Sequence, residues 1–471
     1  MVERNFLKIR FWLDISCLAV FLIVPFYFGQ FFLKPFPIAW QISFYGCLLF
    51  CFFFWVLEVI NSFFSRKGMK QDKKFSLSNK DLFLAVVPFF IFIVVNFLSS
   101  LFSEHSLISF WGSYERGFGF LTWLFLFLFY CFLIFNLKTK DQLVKIIGVI
   151  IGVNLFVCLY GLLQLTGFDF IQWSEEPVLT KRVFSTLGQP NFLGSWLVLT
   201  MPLIFWSLVF ALLKAIKEKK SFLVVLPFLF LFLLNIFILI FTQSRGAWLG
   251  FFGQIFFVFL FLLYYFQKKR AFYIFLSLSL LTFVLLFLYF IFVLFHFQEL
   301  DISSLSFNQS DENTLEARIS SLANLGGATG RLRLFFWRDA IDLVLQKPIL
   351  GYGLENQRFY YLSYYRPEFA VLEAINHYPD RAHNEIFDVL LTSGVLGLVS
   401  YLFFLIISFY LGLKRSLKNL DFSGSIVLAL LIGVFGYLVS LLFSFHIIPT
   451  AVYFVGFLAL INCLSLKNYA G

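Results

Sequence analysis

A run of about 20 apolar residues is long enough to cross a bilayer as a single helix. This chain contains twelve such runs, near 11–33, 38–64, 82–102, 118–136, 143–166, 191–213, 221–241, 247–266, 271–297, 384–413, 424–445 and 448–466. Inside a bilayer every backbone amide and carbonyl must find a partner within the protein, which leaves helices as the natural solution for runs of this length. The expectation is an all-α polytopic membrane protein with about twelve transmembrane helices, forming one membrane domain over residues 1–471 without internal repeats. The composition agrees: 61% of the 471 residues are hydrophobic and 13% are charged, which no ordinary soluble domain shows. The 73 phenylalanines fit a lipid-facing surface.

Charge placement sets the orientation. With the N-terminus inside, the short inner segments and the tail hold 23 of the 36 Lys and Arg, among them Arg66, Lys67, Lys70, Lys73, Lys74 and Lys80 between the second and third runs. The short outer segments are nearly free of them, which is the positive-inside pattern. Both termini are therefore expected in the cytoplasm of a cell with an inner or plasma membrane. The polar segments 103–117, 167–190, 242–246 and 298–383 are then expected outside. The last is too long for a simple turn. Within this large extracytoplasmic loop, Thr329 to about Gln346 reads as an amphipathic helix with Leu332, Phe335, Phe336 and Leu343 as its apolar stripe. Lys347-Pro348 ends it, and Gly351-Tyr352-Gly353 forms a turn.

Several function classes drop out. Cys17, Cys47, Cys51, Cys131, Cys158 and Cys463 all fall in apolar runs and read as small buried hydrophobes rather than a disulfide framework or metal site. The net charge of +10 follows membrane topology, not nucleic acid binding. The first apolar run lacks a small-residue cleavage site and is expected to remain a helix. Neither GxxxxGK[ST] nor a strand-linked GxGxxG is present, so no nucleotide cofactor is expected. His377 and His383 flank Pro379 with a spacing unlike a helical metal pair, so no metal is expected either. His105 and His446 read as structural, and Asp14 and Glu58 as acids within spans.

The outward segments carry the candidate chemistry. His383, in Asp380-Arg381-Ala382-His383-Asn384-Glu385, sits where the long polar segment meets an apolar helix. An imidazole near neutral pKa is the natural group to accept a hydroxyl proton. Arg116, Arg182, Arg245, Arg331, Arg333, Arg338 and Arg381 also lie outside. Arginine presents a rigid fork of donors that suits phosphate oxygens. Arg245 stands out because Thr242–Gly246 is almost the whole connection between two apolar runs. Arg333 precedes Trp337 by one helical turn, so the two share a face. An outward site has no nucleotide sugar, so a transfer there must draw on a preactivated, membrane-carried donor such as a polyprenyl diphosphate.

Over about residues 100–400 the chain resembles the O-antigen ligase family, which also groups O-antigen polymerases and protein O-oligosaccharyltransferases. The resemblance is carried by Trp111–Gly117, Phe184–Asn191, Thr242–Gly246, Gly330–Trp337, Pro348–Gly353 and Asp380–Asn384, followed by Thr392-Ser393-Gly394-Val395-Leu396-Gly397. It implies a GT-C-like membrane glycosyltransferase that moves a glycan from undecaprenyl diphosphate to an acceptor without a metal. Its catalytic positions fall on His383, Arg245 and Arg333, with Arg331 the alternative for the loop arginine. Arg116, Arg182, Arg331 and Arg381 are the expected contacts to the diphosphate, and inversion at the anomeric carbon is expected. The implied partners are the lipid-linked donor, an acceptor glycan, lipid core or protein hydroxyl, and membrane lipid. Helix 191–213 is expected to border a lipid-facing groove. The competing classes are a twelve-helix transporter and a lipid-linked glycan flippase. A transporter with its binding groups at the bilayer midplane fits poorly with polar residues gathered on one side.

Overall fold

The computed structural model describes residues 2–28, 36–64, 79–169, 182–219, 221–266, 328–366, 369 and 379–466. These residues form helices and short turns, with no strand among them. In chain order the helices are α1 (Val2–Ile23), α2 (Pro37–Phe64), α3 (Asn79–Leu101), α4 (Ser106–Trp111), α5 (Phe120–Asn136), α6 (Lys140–Leu165) and α7 (Pro190–Lys217). They continue as α8 (Leu226–Phe241), α9 (Arg245–Tyr265), α10 (Ala328–Gln346), α11 (Gln357–Tyr361), α12 (Glu385–Lys418), α13 (Phe422–Leu441) and α14 (Ile448–Leu466). Nine helices among the described residues are long and apolar enough to cross a membrane. The expected count of twelve is not reached there. The run near 11–33 is α1, which is not among the nine; the run near 118–136 is α5, which is apolar but has only 17 residues; and the run 271–297 lies outside the described residues. Residues 298–327 and His377 of the expected large loop also lie outside them.

The last helix is the centre of the bundle. In α14 every residue from Ile448 to Leu464 is buried, and the helix packs against α5, α12 and α13. Asn462 donates to Tyr130 Oη at 2.6 Å and to Ser408 Oγ at 3.0 Å, a polar tie between helices in a region without water. Helix α13 also packs against α7 and α9. Small residues permit that approach: a Cβ on Gly433 would lie 2.3 Å from the Leu199 carbonyl. Every residue of α7 from Phe192 to Ile204 is buried, so within the expected helix 191–213 it is the later part, with Phe205, Phe210, Leu212 and Leu213 exposed, that is free to border lipid.

Helix α12 is broken where its sequence reads as continuous. Gly394 has φ 64° and ψ −168°, outside the helical region, a conformation that glycine adopts without a Cβ penalty. The Pro348–Gly353 segment fills the gap. Tyr352 and Gly353 donate to the carbonyls of Leu391 and Thr392 at 2.8 and 2.9 Å, and Val395 and Leu396 donate back to Pro348 and Ile349 at 2.8 and 3.3 Å. A Cβ on Gly394 would sit 2.2 Å from the Ile349 carbonyl, and one on Gly351 2.5 Å from that of Leu391. The backbone groups freed by the break are thus paired inside the protein.

Helix α10 runs from Ala328 to Gln346, as its sequence signals dictate. Leu332, Phe336 and Leu343 of the expected stripe are buried and Phe335 is partly so. Leu334, Trp337, Ala340 and Leu343 pack with Tyr352, Tyr361, Ala382 and Leu391, which seats the helix over the start of α12.

Candidate functional site

The segment before α12 is fixed from both sides. Asn384 caps the helix, its Oδ1 accepting from the amides of Ile386 and Phe387 at 3.0 and 3.4 Å. The Ala382 amide donates to Asp388 Oδ1 at 2.9 Å, while the Ala382 carbonyl accepts from Trp337 Nε1 at 2.9 Å. Between these anchors His383 has φ 53°, a left-handed conformation that an ordinary residue keeps only when its surroundings impose it. The imidazole is half-buried beside Phe445 and Phe336, with ring centroids 5.4 and 6.4 Å away. Its Nε2 lies 4.0 Å from Asp380 Oδ1. Burial pushes its pKa down to about 4; Asp380 opposes that, while the charges of Arg333, Arg116 and Arg381 add to it. His383 is therefore neutral at physiological pH.

Arg116 reaches Asp380 Oδ2 through Nε at 2.8 Å and Nη2 at 2.6 Å. The Arg116 charge holds Asp380 below the usual carboxylate range against the effect of burial. Arg381 pairs with Glu355, and burial lowers its pKa to about 10. The guanidiniums of Arg116 and Arg381 lie 4.6 and 4.9 Å from the centre of the Phe445 ring. Arg358 Nη1 pairs with Glu115 at 3.3 Å, and Ser113 Oγ donates to Glu355 Oε2 at 2.6 Å.

The remaining predicted arginines approach along a second line. Arg333 lies 6.0 Å from the centre of the Phe443 ring, one turn before Trp337, whose ring is 6.3 Å from the same phenylalanine. Arg245 is the first residue of α9. Its neighbour Gly246 leaves room for Phe443, since a Cβ there would be 3.0 Å from Phe443 Cβ. Arg182 braces that corner, donating to the carbonyls of Thr242 and Gln243 at 2.9 and 3.4 Å and to Asn191 Oδ1 at 3.2 Å. Arg331 occupies a position on α10, but its side chain lies outside the described structure. The structure thus gathers His383, Arg116, Arg381, Arg333 and the start of α9 around one short segment, Phe443–Phe445.

Behind this cluster is a second, water-sized space, walled by residues including Arg381, Glu355, Asp388, Gln357, Asn96 and His446. Three buried polar atoms on its wall, Asp388 Oδ2, Gln357 Oε1 and Asn96 Nδ2, have no hydrogen-bond partner among the described residues, the condition in which a cavity holds water. His446 is clamped there: Nδ1 is 2.8 Å from Tyr437 Oη, and Nε2 is 3.3 Å from Tyr401 Oη and 3.5 Å from Glu385 Oε1. Burial, and after it the charge of Arg381, pushes its pKa down to about 3.

Sequence reasoning singled out the arginines and His383 but not what holds them. Phe443 and Phe445 belong to the turn between the last two spans, and Glu355, Asp380 and Asp388 are the acids that pair with or orient the basic loop. The interruption of apolar sequence by Ser444 and His446 was the one signal available for that turn. Among the described residues no group of three or more His, Cys, Asp or Glu is arranged to hold a metal ion.

Comparison with known proteins follows the same geometry. The chain is 25% identical over 265 residues to a Rickettsia conorii protein that carries the provisional name polysaccharide ligase, a match spanning 56% of each chain. Residues 228–402 match the family model described as O-antigen ligase. That segment holds Arg245, Arg331, Arg333, Arg381 and His383, whereas Arg116 and Arg182 lie before it. The resemblance read in the sequence is thus shown for residues 228–402, which are similar to O-antigen ligases.

Proposed function

We propose that this protein is a membrane glycosyltransferase that moves a glycan from a polyprenyl diphosphate carrier to an acceptor hydroxyl. The observation that carries the proposal is the convergence of His383 with Arg333 and the Arg245 corner about Phe443–Phe445, within the segment that matches O-antigen ligases. The site is proposed to face the extracytoplasmic side, with both termini in the cytoplasm, as the charge distribution suggests.

In this reading the acceptor oxygen attacks the anomeric carbon and its proton passes to His383. The bond between that carbon and the diphosphate breaks, and polyprenyl diphosphate leaves with the electron pair. One displacement inverts the configuration. Arg245 and Arg333 hold the diphosphate and stabilise the charge that grows on it, with Arg182 bracing the Arg245 corner and Arg331 beside Arg333 on α10. No step requires a metal. The arginines around His383 depress its basicity in the free protein. A bound diphosphate offsets those charges, so the imidazole becomes a better base when donor is present.

The test is a reconstituted assay. Purified protein in vesicles receives labelled glycan on undecaprenyl diphosphate together with membrane extract from its own source. Transfer of label to a new acceptor by the wild type, and none by folded His383→Ala or Arg245→Ala, is the expected result. Label that stays on the donor, or equal transfer by His383→Ala, would remove the proposal. Label that crosses the bilayer unchanged in both would favour a carrier.

A further inference from the structure

Both chain neighbours of His383 are held by one residue, Asp388, in the first turn of α12. Its side chain reaches back across six positions, and Oδ1 accepts from the Ala382 amide at 2.9 Å. Its own amide donates to the Asn384 carbonyl at 2.9 Å, the bond that opens the helix. His383 lies between these two contacts with φ 53°. The peptide group that joins Ala382 to His383 is fixed at its carbonyl as well, by Trp337 Nε1 at 2.9 Å. Ala382 is fully buried, so neither of its bonds can be exchanged for one to bulk water.

Asp388 is itself held in place. Gln357 Nε2 on α11 donates to Oδ1 at 3.3 Å, and Thr392 Oγ1 donates to the Asp388 carbonyl at 2.8 Å. Both the Asp388 and the Gln357 side chains are buried. An acid in the first turn of a helix is often there for the helix dipole alone. That explains the charge, but not a carboxylate turned back onto an amide of the preceding loop. A partner for Arg381 is the other plain explanation, yet Arg381 already pairs with Glu355. The charges that shift the His383 pKa are those of Asp380, Arg333, Arg116 and Arg381. The contact from Asp388 toward the imidazole therefore runs through the backbone. A residue with a β-carbon avoids positive φ unless its surroundings hold it there. Relaxation of φ at His383 would re-aim the imidazole, because the Cα–Cβ bond turns with the backbone.

We propose that Asp388 is a positioning residue for the transfer: by holding Ala382 and Asn384 on either side, it keeps His383 in the left-handed conformation that aims its imidazole at the acceptor hydroxyl. The proposal rests on the transferase reading for what the imidazole does, while the backbone clamp itself requires no turnover. What acts is a hydrogen-bond acceptor, neither a charge nor a carrier of protons.

Two variants separate these roles. Asp388→Ala removes the acceptor, and Asp388→Asn keeps a carbonyl oxygen for the Ala382 amide. Full-length protein in nanodiscs is assayed for transfer of labelled glycan from undecaprenyl diphosphate. In parallel, modification of His383 by diethyl pyrocarbonate is followed by mass spectrometry, with the enclosed His446 as the internal measure of folding. Asp388→Ala is expected to lower kcat about 10²-fold, the loss that a misplacement of about 1 Å can produce, with the donor KM unchanged. Asp388→Asn is expected to recover most of that loss and to keep the wild-type pH profile. His383 should be modified severalfold faster in Asp388→Ala and at the wild-type rate in Asp388→Asn, with His446 protected in both. A deficit in Asp388→Asn equal to that in Asp388→Ala would assign the role to the charge and overturn the proposal. So would wild-type transfer by Asp388→Ala, or a loss confined to KM. If His446 becomes reactive in Asp388→Ala, that variant is unfolded and Trp337→Phe decides in its place. It removes the other bond to the same peptide group while keeping an aromatic ring. It is expected to lower kcat severalfold, and a wild-type kcat would overturn the proposal. A wild type that transfers no glycan would sink the transferase reading. In that case faster modification of His383 in Asp388→Ala leaves the clamp standing, and an unchanged rate removes it.

Discussion

Two histidines feel the charge of Arg381, and their surroundings differ in kind. His383 has a strained backbone, a half-buried ring, and one acid with three arginines acting on it. His446 is fully enclosed and bonded on both ring nitrogens by tyrosines, with Glu385 beside it. Burial lowers both pKa values, to about 4 and about 3. A low pKa is therefore no guide to role here. What separates the two is whether the ring keeps an open approach and a charge that can change when a ligand arrives.

The comparison predicts different losses from the same substitution. His383→Ala should reduce transfer by about 10²–10⁴-fold, the span for loss of a positioned general base, with donor affinity unchanged in a pull-down on undecaprenyl diphosphate. A smaller deficit would mean that another group takes the proton. Arg333→Ala should follow at about 10²–10³-fold in kcat, and Arg333→Lys should recover little of it, because a point charge lacks the planar fork.

Asp380→Asn acts on the imidazole through its charge and should lower the rate about tenfold. Its sharper signature is the pH profile. Asp380 raises the His383 pKa, whereas Arg333, Arg116 and Arg381 lower it. Removing the carboxylate moves the acid limb of kcat/KM to lower pH. In the wild type that limb belongs near pH 4, and the limb of kcat should lie higher because bound diphosphate offsets the arginines. Coincident limbs would mean that donor binding leaves the base unaltered.

His446→Phe should leave transfer within a few fold and lower stability by about 1–3 kcal/mol through the broken tyrosine bonds, read as a melting shift in detergent. It should also change acid sensitivity. An unfolded imidazole takes up its proton as pH falls through about 6.5, whereas folded His446 does not until about 3. The unfolded state binds more protons across that window, so stability is lost as pH drops from 6.5 toward 3. The phenylalanine variant should lose less over the same range. If it instead abolished transfer without destabilising, the two histidines would share one function.

Much of the helical layout was legible because apolar run length is a local property. Helix α10 ends at Gln346, where Lys347-Pro348 said it must, and Arg245 opens α9 as its short polar corner implied. The broken α12 was not legible. Thr392-Ser393-Gly394-Val395 reads as tolerated small residues within one span, and the reason for the break is a segment more than forty residues upstream. The partners of the arginines were hidden for the same reason. Arg116 finds Asp380 264 residues away, and Arg358 finds Glu115 243 away. In a chain with 73 phenylalanines, nothing marked Phe443 and Phe445 as the rings beside the basic side chains.

The interlock at the α12 break also carries an order of manufacture. The Pro348–Gly353 strap leaves the ribosome before Leu391–Leu396, so the partners of the break have been synthesised by the time the broken helix arrives. A rearranged gene that placed α12 ahead of the strap would oblige the membrane to receive a helix with its interruption still open. Such a chain would have the same residues and the same final contacts available, but the backbone groups freed at Gly394 would wait unpaired until the strap followed.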